Sequence, residues 1–293
     1  MDFNLPADLV AYLDELDQFI AREIEPLQAA DDNIRFFDHR REWARTDFDN
    51  GGLPRHEWEV LLRKAKNLAD AAGHLRFAIP KRYGGKDGSN LWMAVIREHF
   101  AAKGLGLHND LQNEHSIVGN LPIVTMLDRY GTDEQKAMID GSITGKYRIT
   151  FGLTEPEHGS DATHMETRAV PATRDNVKGW IVNGEKMWTT GMHVATHCAL
   201  FARTSGEDGD ARGITCLLVP AKAEGVKLRS TCGPSTCRPT IRGSASPTCS
   251  CPTTRCSARS AAASRWRSAS YTRTASARRR VRWALRYTAS MKA

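Results

Sequence analysis

Gly152-Leu153-Thr154-Glu155-Pro156-Glu157-His158-Gly159-Ser160-Asp161 follows directly on the stretch Tyr147–Phe151. These ten residues combine two glycines, a Thr, a Ser and several carboxylates. A strand that ends in such a loop presents backbone N–H groups and short hydroxyls to one point in space. Glycine, lacking a side chain, also lets the backbone approach a ligand closely. That equipment suits a polar ring edge or a diphosphate. Taken alone, Thr154 and Ser160 also read as turn caps. Glu155 and Asp161 read as loop-shaping carboxylates that accept local hydrogen bonds. His158 and His164 have no assigned role beyond the surface or a pocket rim.

Outward from this loop, the pattern changes at Gly145. Downstream, Arg148–Leu153, Met165–Pro171, Gly179–Asn183, Lys186–Thr190, Cys198–Thr204 and Gly213–Pro220 are short runs separated by Gly, Asp and Asn turns. They predict strands of a small antiparallel β-domain, with a hairpin at Asn183-Gly184. Trp188 and Thr190, two apart on one strand, then share a face. A Trp in such a domain is by itself most simply a core residue. Cys198 and Cys216 fall in strands and read as buried small hydrophobes.

Upstream the pattern is helical. Leu9, Val10, Leu13, Leu16, Phe19, Ile20 and Ile24 make one apolar face. Asp32–Leu53 reads as a connecting excursion, after which Pro54 opens a second helix through Trp58, Leu61, Leu62, Ala65 and Leu68. A third spans Leu91–Ala102, with Trp92, Val95, Ile96 and Phe100 inward, and a fourth spans Asn113–Arg129, kinked or interrupted at Pro122. A short helix starts at Thr132, which with Gln135 forms a capping box. His108, Asn109, Asn113 and His115 read as solvated loop, with the border of a pocket as the alternative. Helices first and strands second give an α+β fold. The organisation is a helical domain over 1–145, a β-domain over 146–229 and a tail over 230–293.

The tail is chemically unlike the rest. It holds thirteen of the 41 Lys and Arg and no Asp or Glu, leaving 28 basic against 34 acidic residues before it. It has one Leu, one Ile, one Val and no Phe, too little apolar surface to offset the entropy of ordering, so a largely disordered tail is expected. Cys232, Cys237, Cys249, Cys251 and Cys256 lie in it without a C-x-x-C pair, which argues against zinc and predicts no metal site. Arg278-Arg279-Arg280 with Trp266, Tyr271 and Trp283 leaves nucleic-acid binding as a minor alternative. The start Met1–Pro6 has no basic or apolar leader pattern, and no segment reaches membrane-spanning length, so the expectation is a cytoplasmic protein without a membrane partner.

The opening loop resembles the acyl-CoA dehydrogenase signature, which runs Gly, aliphatic, Ser/Thr, Glu, two free positions, a small residue, Gly, Ser/Thr, Asp. His158 departs from it at the small position. In order along the chain, Ile79-Pro80-Lys81-Arg82-Tyr83-Gly84-Gly85, Tyr130-Gly131-Thr132-Asp133-Glu134-Gln135-Lys136, Asn183-Gly184-Glu185-Lys186-Met187-Trp188-Thr189-Thr190 and Gly213–Ala221 resemble further segments of that family. The resemblance covers roughly residues 5–228. It implies FAD as cofactor, with Phe151, Leu153, Thr154, Gly159, Ser160, Trp188 and Thr190 as its contacts and Ser160 also near the CoA part of the substrate. It further implies an acyl-CoA thioester substrate, an electron-accepting flavoprotein partner and a homo-oligomer. The family's base is a Glu of a C-terminal helical domain. No acidic residue follows Glu224 here, so no catalytic residue is assigned and impaired turnover is expected. Codons for Ser230–Thr240 can be chosen so that another frame reads Tyr-Leu-Trp-Thr-Phe-Asn-Met-Pro-Thr, which resembles the family's continuation. A reading-frame shift near Leu228 is therefore expected, and the gene's own codons test it: no family-like translation in either other frame rules it out. A non-catalytic binding or assembly module of the same ancestry is the other reading.

Overall fold

The computed structural model of the protein describes residues 4–109, 116–174, 177–232, 236–240 and 249–252. Expectations for Asn113, His115 and the tail's aromatic and Arg cluster lie outside those residues. Two compact units divide the chain, one ending at Pro122 and the other beginning at Ile123.

The first unit is built on α1 (Ala7–Phe19), α2 (His56–Ala71) and α3 (Asn90–Ala102). Leu9, Tyr12, Leu13, Leu16 and Phe19 of α1 share one core with Trp58, Leu61, Ala65 and Ala69 of α2 and Met93, Ile96 and Phe100 of α3. Their three- and four-residue spacing puts each set on one helical face. The stripe continues past α1 through a π-helical turn, Ile20–Ile24, which keeps Ile20 and Ile24 buried. Ser89 caps α3, its Oγ accepting from the Trp92 N–H at 3.2 Å. Pro54 does not open α2. It pairs with Thr46 in a two-residue ladder, and the helix starts at His56. His108 is buried rather than solvated, its ring edge-on to Phe100 and its Nε2 3.3 Å from the Phe100 carbonyl.

The boundary falls just after the first residue of α4 (Pro122–Tyr130), which is followed in the second unit by α5 (Asp133–Lys136) and α6 (Ile139–Ile143). Pro122 is the first residue of α4, where a missing N–H costs nothing, so it starts a helix instead of kinking one. The capping box forms as the sequence predicts: the Gln135 N–H donates to Thr132 Oγ1 at 3.3 Å, and the Thr132 N–H donates to Gln135 Oε1 at 2.9 Å.

Five of the six expected strands are present: β1 (Ile149–Gly152), β2 (Arg168–Arg174), β3 (Val177–Asn183), β4 (His197–Arg203) and β5 (Ile214–Pro220). β6 (Lys227–Cys232) and β7 (Thr236–Thr240) form a separate ladder, and β8 (Cys249–Pro252) pairs with β3, so the first part of the tail carries strands.

The α+β expectation holds, but the sheet is mixed and not purely antiparallel. β1 runs parallel to β4, from Ile149 opposite His197 to Gly152 opposite Leu200. Between them the chain makes the loop and the β2–β3 hairpin, a long crossover that lets the second strand return in the same direction. β4 is the central strand, and its apolar run fills both faces: Cys198, Leu200 and Ala202 join Val182 and Leu217, while Ala199 and Phe201 join Leu153, Met165 and Ile214.

The hairpin is also displaced from its expected place. β2 and β3 pair antiparallel from Arg174 opposite Val177 to Arg168 opposite Asn183, so Asn183-Gly184 ends β3 instead of linking two strands of a hairpin. Gly184 is there because a Cβ at that point would lie 2.3 Å from Thr167 Oγ1. No helix among the described residues is long and apolar enough to cross a membrane.

Candidate functional site

The loop leaving β1 is held by Glu155. This carboxylate is 4 % exposed. It accepts from the backbone N–H groups of Glu166 and Thr167, the latter at 3.0 Å, and from the ammonium of Lys186 at 2.6 Å. Lys186 is 1 % exposed and donates also to the Leu153 carbonyl at 3.1 Å. Burial alone raises a carboxyl, but the Lys186 charge and the converging donors outweigh it and hold Glu155 below the usual carboxylate range. Burial pushes the Lys186 ammonium down, against the pull of Glu155.

One carboxylate thus closes the loop on its return arm and joins it to the segment after β3. Asp161 does the same locally as the cap of a short turn, accepting from the Thr163 hydroxyl and N–H and lying 2.9 Å from His164 Nδ1. The hydrogen bond from Thr163 is the main cause that lowers its carboxyl. His158 lies 3.3 Å from Glu166 Oε1, and its ring is 6.4 Å from that of His164. Arg203, 2 % exposed, braces the return arm from behind through the Thr163 carbonyl.

The segment Lys186–Thr190 is not the strand that its pattern predicts. It runs beside β1 as irregular backbone, with the Met187 N–H donating to the Thr154 carbonyl at 2.8 Å and the Thr150 hydroxyl 3.5 Å from Met192 Sδ. Trp188 sits at φ +58°, a left-handed conformation that bulky residues rarely adopt, and is 46 % exposed. Thr189 next to it is fully buried, and its hydroxyl finds no partner. Thr190 is exposed again. A tryptophan in the core is thereby ruled out: the strained backbone turns its ring outward while Lys186 and Thr189 anchor the segment on either side.

The structure brings the end of β1, with Thr154, next to the segment that carries Trp188 and Thr190. Thr154 is half-buried there. Phe151 and Leu153 point into the sheet core; the Phe151 ring lies 4.9 Å from that of Phe201, and Leu153 is 4 % exposed. Gly159 and Ser160 are exposed at the loop tip. A Cβ added at Gly159 would meet nothing within 4 Å, so packing within the chain does not demand a glycine there. The open space beside Gly159 and the outward Trp188 ring both fit a large, flat, phosphate-bearing group such as FAD.

Sequence reading missed Lys186 and Arg203. Lys186 stands in a motif that the reading used, but its carboxylate partner is 31 residues away. Cys198 and Cys216 are buried as expected, and burial pushes the Cys198 thiol up to about 11.

The chain belongs to the acyl-CoA dehydrogenase family: the model of the N-terminal domain matches residues 7–143, and that of the middle domain matches residues 150–240. Among curated relatives it is 33 % identical over 173 residues to the 3-(aryl)acrylate reductase of Clostridium sporogenes, covering 58 % of this chain and 41 % of that protein. It is 31 % identical over 181 residues to the caffeyl-CoA reductase-Etf complex subunit CarC of Acetobacterium woodii, covering 61 % of this chain and 43 % of that one. The chain therefore spans about two fifths of the length of these relatives. Among solved structures it superposes on PigA in its FAD complex with a TM-score of 0.64 at 19 % identity, covering 92 % of this chain and 63 % of that one, which is a likeness of fold.

Proposed function

We propose that this chain carries one wall of an FAD site of the acyl-CoA dehydrogenase type, for α,β-dehydrogenation of acyl-CoA thioesters. The observation that supports it most is Trp188, held outward against its conformational preference beside Thr154. In this reading the Trp188 ring covers one flank of the flavin and excludes water. The Thr154 and Thr190 hydroxyls and the Leu153–Thr154 backbone hydrogen-bond its polar edge, with the Phe151 backbone behind them. Gly159 and Ser160 meet the diphosphate, and Ser160 also meets the CoA part of the substrate. Bound there, FAD would supply the redox chemistry.

Removal of the α-proton needs a base that this wall does not offer. Glu155 is consumed by Lys186 and two backbone N–H groups. No acidic residue follows Glu224 in the sequence, which supports weak FAD retention, negligible turnover by this chain alone, and a frame shift near Leu228. The same observation favours a second reading, a binding or assembly module that pairs with a longer relative. CarC is named as a subunit of a reductase-Etf complex, which supports an electron-transferring flavoprotein as the partner of a complete site.

Titration with FAD tests the proposal. Replacing Trp188 with Ala should weaken binding of added FAD by about tenfold, the worth of one aromatic stacking contact. Equal affinity of the two proteins would contradict the assignment.

A further inference from the structure

Trp188 sits in a conformation that costs free energy, so something in the surrounding structure must impose it. Two anchors flank it. On the C-terminal side, Thr189 is buried outright. On the N-terminal side, Lys186 is driven into the interior, where its ammonium reaches Glu155 Oε1 at 2.6 Å and the Leu153 carbonyl at 3.1 Å. The Met187 N–H then meets the Thr154 carbonyl at 2.8 Å. Three consecutive residues of the loop, Leu153, Thr154 and Glu155, are thereby tied to two consecutive residues, Lys186 and Met187, immediately before Trp188.

We propose that Lys186, through its buried ion pair with Glu155, is the positioning residue of this site: it sets Trp188 in its outward, left-handed pose and fixes the distance between Trp188 and Thr154. The ligand readout rests on the FAD reading above; the pose of Trp188 does not.

A buried ion pair is a poor source of stability, because taking both charges out of water costs about as much as their attraction returns. An apolar residue in place of Lys186 would fill the same space beside β1. What an apolar residue lacks is direction. The ammonium has three donors, and two of them go to a carboxylate and a carbonyl of the loop that carries Thr154. Glu155 in turn accepts from Glu166 and Thr167 on the return arm, so the position of Lys186 is transmitted to both arms of the loop. The titratable groups near the pair are Cys198 on β4, whose thiol burial keeps protonated, and Glu166 with His158 on the return arm.

The test reads Trp188 without any ligand. Its emission and its quenching by acrylamide are obtained as the difference between each protein and its Trp188→Phe counterpart. In Lys186→Met the Trp188 signal should shift and its quenching change, and affinity for added FAD should fall by about tenfold, as for loss of the stacking contact itself. Because a lone buried Glu155 charge is strongly destabilising, Glu155→Gln/Lys186→Met, which removes both charges, is measured alongside. It should fold, yet show the same altered Trp188 signal and the same loss of FAD. In the unaltered protein, lowering the pH should change the Trp188 signal before global unfolding, as Glu155 protonates. If the double variant and the acidified protein keep the Trp188 signal of the native state, the positioning role is wrong. If the unaltered protein binds no FAD, the flavin reading falls and the ligand-free Trp188 signal still decides the role of Lys186.

Discussion

At the scale of single residues, the site is organised by a charge that never meets solvent. Glu155 has its carboxyl depressed in the folded chain, so its folded pKa lies below its unfolded value of about 4.3. Its contribution is therefore complete above the unfolded value and is lost as pH falls through the folded one. Urea unfolding at a series of pH values checks this: the midpoint of the native protein should drop more steeply below about pH 5 than that of Glu155→Gln, whose side chain does not titrate. A second residue-scale prediction concerns Gly184. Its Cβ would overlap Thr167 Oγ1 at 2.3 Å and the Thr167 Cα at 2.6 Å, so Gly184→Ala should cost about 1–3 kcal/mol, the range for overpacking; thermal unfolding measures it. Neither effect was legible in the sequence. A glycine after an asparagine carries a turn signal whether it turns or makes room, and the Lys186 partner is fixed only when β1 and the segment after β3 lie side by side.

At the scale of elements, what was legible was local. The capping box of Thr132 and Gln135 involves four consecutive residues, and it formed as the sequence predicts. Thr132→Ala should remove it and destabilise the second unit by about 1 kcal/mol, seen as a lower unfolding midpoint. The helical stripes of α1, α2 and α3 were readable for the same reason, since periodicity alone decides which face is buried. The strands were found as elements, but their partners were not. Five runs became strands, yet the parallel pairing of β1 with β4 follows from a crossover whose path no local pattern encodes. Lys186–Thr190 had the composition of a strand, but the Lys186–Glu155 pair and the buried Thr189 hold it in another conformation. Tertiary anchoring outweighed propensity there.

At the scale of the molecule, the family's N-terminal and middle domains match residues 7–143 and 150–240, and residues 230–293 hold thirteen basic and no acidic residues. The proposed flavin wall comprises Thr154, Gly159 and Ser160 on the loop, Trp188 and Thr190 beside it, and the buried pair of Lys186 and Glu155 between them. In that proposal this chain binds FAD, and the α-proton base lies outside this wall. The visible absorbance spectrum of the purified protein tests that division most directly, recorded alone, with added FAD, and then with acyl-CoA thioesters. Little flavin as purified, perturbed flavin bands when FAD meets excess protein, and no bleaching on addition of acyl-CoA are the expected results. Flavin bands that stay those of free FAD at every protein concentration would contradict the binding wall, and bleaching by an acyl-CoA would contradict the missing base.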